Sequence, residues 1–459
     1  MRDVAEAYRT IPLHPLQWPT AMVHATHDEL YVDTCTAFGA APSAGVYGHA
    51  AGMGVEIFRL RGIGPLDKWV DDHIFLCIRS VYLDEYNTNR NNWSHHISST
   101  GGMKQSGSRS WFAGLSTPNG SVEEFNESCV FPIKDLSRQS TCPKHDANFM
   151  YTLDDVDHVS EELGIPWEKS KDQPFASSTI YIGFVWDLRA STISLAPSKI
   201  EKYLTAINKW ARRPTHVLKE VQSLYGKLLH TCAGLPRGRA YLTALERMMR
   251  VCHDKPFMPH HPVKGTDTEL TWWTARLQQG DVTHPIKPPA QFADVGAFSD
   301  ASSGMGIAII VGEKRCAWTL DPEWKSMHGS QRDIGWAEAV SFELLVRTLN
   351  LLPQTHSHTV VYGNNTGVIE GWWNGRHRNV ETNHVLRQVH QFLLEANRIQ
   401  DIRTRYVPSA TNPADDPSHG VYGSRLLLLP CVPIPPQLLP FITDVEDSHP
   451  RQSGPSRLV

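Results

Sequence analysis

The sequence predicts an α/β protein of more than one domain. Its 459 residues are enough for two or three domains with sizeable cores, and 41% hydrophobic with 20% charged residues is ordinary for a globular chain. Residues 294–420 alternate strand-like and helix-like patterns, the mark of a sheet with helices packed on it. Near the start, Trp69-Val70-Asp71-Asp72-His73-Ile74-Phe75-Leu76 sets two adjacent carboxylates between apolar runs, which predicts a β-hairpin with acids at its tip.

Asp3 leads into a short turn with Tyr8 five residues on, followed by a strand-like apolar run at Ile11-Pro12-Leu13. In Phe38-Gly39-Ala40-Ala41-Pro42-Ser43-Ala44-Gly45-Val46-Tyr47, small residues let the backbone approach a ligand closely. The pair Asp71-Asp72 then admits two readings. Close carboxylates repel unless cations lie between them, which suits divalent metals in phosphoryl transfer. Asp is also frequent in hairpin turns for conformational reasons alone.

Residues 80–150 are rich in Asn, Ser and Gly, as in Asn87-Thr88-Asn89-Arg90-Asn91-Asn92, and predict a loop or loosely folded insert. Short strands are expected within it at Trp111-Phe112 and Phe131-Pro132-Ile133. From 199 to 250 the apolar residues follow helical spacing, with Ile200, Tyr203, Leu204 and Ile207 followed by Val217, Val221, Leu224 and Leu228. The same stretch is basic. Lys199, Lys202, Lys209, Arg212, Arg213, Lys227, Arg237 and Arg239 outweigh Glu201, Glu220 and Glu246. Such an excess suits the tracking of a phosphate backbone, or simply a solvated amphipathic bundle. Pro256, Pro259 and Pro262 mark a linker, with a short helix from Thr268 to Gln279 stopped by Gly280.

Strands are expected at Val295–Asp300, Ile307–Val311, Cys316–Leu320, Val360–Tyr362 and Ile402–Val407, and helices at Trp336–Leu349, Thr366–Trp373 and Val385–Ala396. Acids sit at element ends: Asp300 closes the first strand, Glu338 lies in the first helix, and Asp415 follows in Asn412-Pro413-Ala414-Asp415-Asp416-Pro417-Ser418. The Pro-rich residues 426–459 predict an extended tail docked in part through Leu438 and Phe441.

In this order the N-terminal segments, together with Leu163-Gly164-Ile165-Pro166-Trp167-Glu168-Lys169-Ser170-Lys171 and Tyr181-Ile182-Gly183-Phe184-Val185-Trp186-Asp187-Leu188, resemble the palm of a reverse transcriptase. The resemblance is nearest to retrotransposon polymerases of the tyrosine-recombinase (DIRS-like) group. Residues 294–420 resemble the ribonuclease H-like domain fused to those polymerases. The resemblance implies an α+β palm over 1–190 with the insert at 80–150, a basic helical thumb or connection over 191–255, a linker at 256–290, and a ribonuclease H-like domain over 291–425.

It also implies chemistry. Asp3, Asp71 and Asp72 would hold two magnesium ions, one activating the primer 3′-hydroxyl and one neutralising the triphosphate. Tyr8 would lie beneath the incoming sugar, or else be an ordinary packed tyrosine; Phe38 and Gly39 would line the nucleotide and template site. Lys169 or Lys171 would lie near the triphosphate, or on a solvated face. Asp300, Glu338 and Asp415 would hold the two magnesium ions of the nuclease, where the fourth position carries Asn364 rather than an acid. An amide brings no charge, so severely reduced cleavage is expected; Glu343 is a poorer match than Glu338 in its motif. The implied partners are an RNA template, a DNA primer and their hybrid.

The family places fingers upstream of its first acid, and Met1 lies two residues before Asp3. Absent fingers and a frayed, loosely held Asp3 are therefore expected, with weak or no polymerase activity. A catalytically inactive nucleic-acid-binding remnant is the alternative reading.

The net charge of −4 conceals local asymmetry and does not exclude nucleic-acid partners. Eight Cys without CxxC pairs suit a reducing compartment. Cys129, Cys142 and His145 offer part of a metal site but lack a fourth ligand. No apolar run approaches the roughly 20 residues of a spanning helix, so no membrane partner and a cytosolic or nuclear location are expected.

Overall fold

The structure is a computed structural model. It describes residues 1–445 apart from 27–28, 107–108, 117–121, 138–147, 281, 287–289, 330–331, 354–355, 397, 400, 425–426 and 431. The protein is α/β and forms two compact units, Met1–Ala196 and Pro197–Val459.

The first unit opens with β1 (Arg2–Asp3), a hairpin of β2 (Met22–Thr26) and β3 (Glu29–Val32), helix α1 (Ser43–Arg61), and the hairpin β4 (Leu66–Trp69) and β5 (Asp72–Phe75). Strands pair in the order β1-β5-β4, all antiparallel. Phe58 and Ile63, at and just beyond the end of α1, are buried in one cluster with Phe75, Met150, Tyr151 and Val156. That cluster fixes the strand pair carrying the acids.

Residues 80–150 contain more regular structure than their composition predicts. Helix α2 (Leu83–Ser99) runs through the Asn-rich stretch, and β6 (Met103–Ser106), β7 (Arg109–Ser116) and β8 (Val122–Phe125) form a meander behind it. Tertiary contacts override the weak helix propensity. Asn87 clasps the backbone of Ile133 from both sides, donating through Nδ2 and accepting through Oδ1, each at 2.9 Å. Arg90, 2% exposed, makes a two-pronged pair with Glu127 at 2.9 and 2.8 Å. Trp111-Phe112 lie in β7 as expected, whereas Phe131-Pro132-Ile133 form no strand.

Helix α3 (Leu153–Leu163) starts where the Asp155 carboxylate accepts from the Thr152 amide at 2.8 Å. The unit ends in an antiparallel meander of β9 (Ser178–Tyr181), β10 (Phe184–Asp187) and β11 (Thr192–Leu195).

The second unit begins with helices α4 (Pro197–Ala211), α5 (Leu218–Thr231), α6 (Thr243–Cys252) and α7 (Thr266–Gln279), followed by a short strand, β12 (Thr283–Pro285). Helix α7 starts two residues before its predicted position and is packed into this group. Trp273 is fully buried and donates to the Tyr241 carbonyl at 2.9 Å. Next come β13 (Ala293–Ala301), β14 (Gly306–Val311), β15 (Lys314–Leu320), α8 (Ile334–Leu351), β16 (His358–Gly363), α9 (Thr366–Trp373), α10 (Val380–Glu395), β17 (Asp401–Tyr406), the single turn α11 (Asp415–Ser418) and β18 (Ile442–Asp444).

Every strand and helix expected in this region is present within a few residues. The helices begin at side-chain caps: Asp333 accepts from Trp336 N, Asn365 from Val368 N, and Asn379 from Glu381 N and Thr382 N. The Asn379 cap explains why α10 starts at Val380 and not at Val385. The six strands lie in the order β17-β16-β13-β14-β15-β18. β13, β14 and β15 are antiparallel neighbours, whereas β16 and β17 run parallel to β13. A Cβ at Gly306 would meet the Trp318 carbonyl oxygen at 2.2 Å, so β14 can pair with β15 there only through glycine. The tail docks through buried Leu438 and Phe441, and β18 extends the sheet at β15.

Candidate active sites

Three acids separated widely in sequence meet on the first strand pair. Asp3 and Asp72 are register partners of β1 and β5, and Val4 N donates to the Asp71 carbonyl at 3.2 Å. Val70 and Asp71 form the two-residue loop between Trp69 and Asp72. Val70 has φ 57°, a left-handed conformation that costs a β-branched residue on the order of 1–3 kcal/mol. Positive φ at the first loop residue alone is the pattern of a II′ turn, normally given to glycine.

Asp72 is pushed up to about 6, by partial burial first and then by the charges of Asp3 and Asp71. Lys171 Nζ lies 3.0 Å from Asp3 Oδ1 and offsets part of that repulsion. Three close carboxylates, one of them with its proton affinity raised by burial and by its neighbours' charge, suit a divalent cation, so the donor set fits magnesium.

Asp3 is held more firmly than its place near Met1 suggests. Its carbonyl accepts from Glu168 N at 2.8 Å, and the Met1 carbonyl accepts from Gln173 N at 3.0 Å. Arg2, 2% exposed, pairs with Asp157 and lies over the Trp167 ring at 5.5 Å. The expected fraying does not occur, because β1 is pinned by the 157–173 segment.

Tyr8 faces Phe38 at 5.5 Å between ring centroids and meets Tyr47 edge-on at 5.7 Å. The Tyr47 hydroxyl is pushed well above its usual range, by burial first and then by Asp71 and Asp3. Tyr47 is therefore the buried link between the aromatic group and the acids, a role that sequence reading missed. Phe38 is 86% exposed, and Gly39 turns at φ 90° in open space. The two lysines separate: Lys171 reaches Asp3, whereas Lys169 turns to Asp157 at 2.8 Å.

The acids of the second unit gather at the end of β13. Asp300 is 1% exposed and fully engaged: Oδ1 accepts from Asn364 Nδ2 at 2.5 Å and Asn412 Nδ2 at 3.3 Å, and Oδ2 from Ser418 Oγ at 2.5 Å. Glu338 is pushed up to about 9, mainly by burial and next by Asp300, against a bond from the Ala301 amide. Glu338 also lines a small internal cavity with Ser299, Phe342 and Val361. Glu343 is buried in an ion pair with Arg347 at 2.8 Å and takes no part.

One ligand atom each from Asp300, Asp415 and His419 lie within 4.8 Å of one another, a metal-compatible group formed nowhere else among the described residues. Sequence reading missed His419. Its only signal was its position four residues after Asp415. The acid set does not fit two magnesium ions, since Asn364 presents amide hydrogens to Asp300. Of the loose Cys129 group, Cys129 is buried and Cys142 and His145 lie outside the described residues.

Among the basic residues, Lys202, Lys209, Arg212, Arg213 and Arg239 are exposed, Lys199 and Lys227 half-buried. Arg213 pairs with Glu220, and Lys227 donates to Ser223. Burial holds Arg237 below its usual range. The exposed members make a basic surface; Arg237 is the least available of the set.

The fold and sites thus define a class: a mixed α/β protein with a carboxylate triad on an antiparallel strand pair and a second acid site on a mixed sheet. No family model and no curated protein sequence matches the chain. Among solved structures it is similar to a foamy viral protease-reverse transcriptase dRH in complex with double-stranded DNA, with a TM-score of 0.38 and 12% identity, covering 88% of this chain and 56% of that one. A foamy viral protease-reverse transcriptase with double-stranded DNA gives 0.37 and 12%, over 90% and 67% of the two chains. The same kind of protein with an RNA/DNA hybrid gives 0.28 and 10%, over 92% and 65%. The chain spans little more than half of the first of these. No helix among the described residues is long and apolar enough to cross a membrane.

Proposed function

We propose that the chain is an RNA-directed DNA polymerase with a fused ribonuclease H-like domain, derived from a DIRS-like retrotransposon, slow in synthesis and impaired in cleavage. The observation that carries this reading is the pairing of Asp3 with Asp72, beside Asp71 and against the Tyr8–Phe38–Tyr47 group. Magnesium at the triad would supply Lewis-acid activation of a primer hydroxyl and charge neutralisation of a triphosphate.

The protein's own residues prepare that chemistry. Asp71 and Asp72 are aimed by a strained two-residue loop, and Asp3 is placed by strand register. Tyr8, braced by Tyr47, would wall the sugar site. Lys171 neutralises Asp3 in the free protein and would be released toward a phosphate when a cation takes that charge. Slow synthesis follows from this competition, because the Lys171–Asp3 ion pair must be displaced before a cation takes that charge.

The RNA template, DNA primer and hybrid would lie along the exposed basic residues of α4 and its flanks, held chiefly by phosphate contacts. The second reading is a nucleic-acid-binding remnant without catalysis, and Asn364 favours it for the nuclease site. Magnesium-dependent extension of a DNA primer on an RNA template, with Asp71→Asn beside the parent chain, separates the two.

A further inference from the structure

An open groove of about 670 Å3 lies between α5 and α6 and shares no residue with either acid site. Helical spacing sets its lining: Leu218, Gln222 and Tyr225 come from α5, and Glu246, Met249 and Arg250 from α6. Tyr225 is fixed, because its hydroxyl donates to Glu246 at 2.8 Å and Glu246 also pairs with Arg376. The groove is therefore preformed.

An apolar knob borders it. Phe257 is 91% exposed, the most exposed large apolar side chain among the described residues, and Met258 beside it is also exposed. The backbone holds them there. Leu218 N, at the start of α5, donates to the Pro256 carbonyl at 3.2 Å, and His216 and His260 exchange backbone hydrogen bonds at 2.9 and 3.0 Å. Residues 256–260 are thus clamped against the start of α5, where Leu218 lines the groove. Single exposed apolar residues are ordinary on surfaces. A clamped aromatic adjoining a preformed groove with Leu218 and Met249 in its lining is instead the pattern of an interface anchor beside its receptor.

We infer that this face is an isologous interface between two copies of the chain, with Phe257 of each copy seated in the α5–α6 groove of the other. A knob and a hole adjoining on one surface close as a symmetric pair, since one two-fold axis satisfies both at once. The free charges agree. Arg250 has no ion-pair partner among the described residues, and Asp254, also in the lining, has only the likewise exposed His253 at 3.2 Å. One cation and one anion on the same face give the self-complementary charge that a two-fold contact needs, with Arg250 of one protomer meeting Asp254 of its partner. A partner of single-signed charge, such as nucleic acid, finds no such match. The inference does not rest on the polymerase reading.

The test is sedimentation velocity of the full chain from about 1 to about 100 μM, which spans the affinity of an ordinary reversible dimer. A concentration-dependent mass of two chains is expected. Phe257→Ser changes a solvent-exposed side chain, so the fold is left intact, and it is expected to weaken the dimer by at least about tenfold. Arg250→Asp and Asp254→Arg are each expected to weaken it alone, and the two together to restore it, a rescue that a merely structural role would not give. A parent chain monomeric throughout would overturn the proposal. So would a dimer unaltered in Phe257→Ser, or a charge exchange without rescue.

Discussion

At the scale of single residues, two side chains carry most of the chemical argument. Asp72 has a higher affinity for protons in the fold than in the unfolded chain, since its native value of about 6 lies above the ordinary carboxylate range. Proton binding therefore supports the fold below about pH 4, and that support is lost as pH rises through about 6. A rise of that size corresponds to roughly 3 kcal/mol, which solvent screening of a partly exposed group reduces to about 1–2 kcal/mol. Asp72→Asn is expected to raise the melting temperature of the first unit by about 2–4 °C at pH 7.5 and to leave it unchanged at pH 4, as read by calorimetry. A variant less stable at pH 7.5 would contradict the crowding of charge at this site. Asn364→Asp is the converse case. Restoring an acid beside Asp300 is expected to raise magnesium-dependent hybrid cleavage, measured against the parent on a labelled RNA strand; an unchanged rate would remove Asn364 as the cause of impairment. The acids themselves were legible in the sequence because each sits in a distinctive local context. Tyr47 and His419 were not, since a lone aromatic or histidine carries no signal until the fold sets it beside a carboxylate.

At the scale of elements, legibility followed periodicity. The strands and helices from β13 to β17 were readable because short apolar runs such as Gly306–Val311 and the apolar α8 end at clear turn and cap residues. Helix α2 was not, because Asn, Ser and Thr give it little intrinsic preference and its stability comes from partners distant in sequence. Glu127, paired with Arg90 of the helix, is the chief of these, and Arg59 also lies 3.4 Å from the same carboxylate. Arg90→Ala is expected to destabilise the first unit by about 3 kcal/mol in urea unfolding, because it leaves a mostly buried carboxylate short of a partner. A change below about 1 kcal/mol would mean that α2 is held by apolar packing alone.

At the scale of the whole molecule, each unit carries its own acid site, a division that composition alone did not reveal. Helix α7 shows why: its stretch reads as a proline-bounded linker, yet Glu269 is buried on Thr243 and Ala244 and pairs with Arg387 of α10. The helices α4–α7 therefore belong to the same compact unit as the six-stranded sheet. If the exposed basic residues hold phosphates, hybrid affinity should fall steeply with salt, with a log–log slope of several units in filter-binding or anisotropy titrations. Binding independent of salt would count against that surface. The most direct measurement remains primer extension on an RNA template in magnesium, comparing the parent chain with Asp71→Asn. Slow extension that the substitution abolishes is the expected result. Extension surviving in Asp71→Asn, or none from the parent while hybrid binding persists, would contradict it.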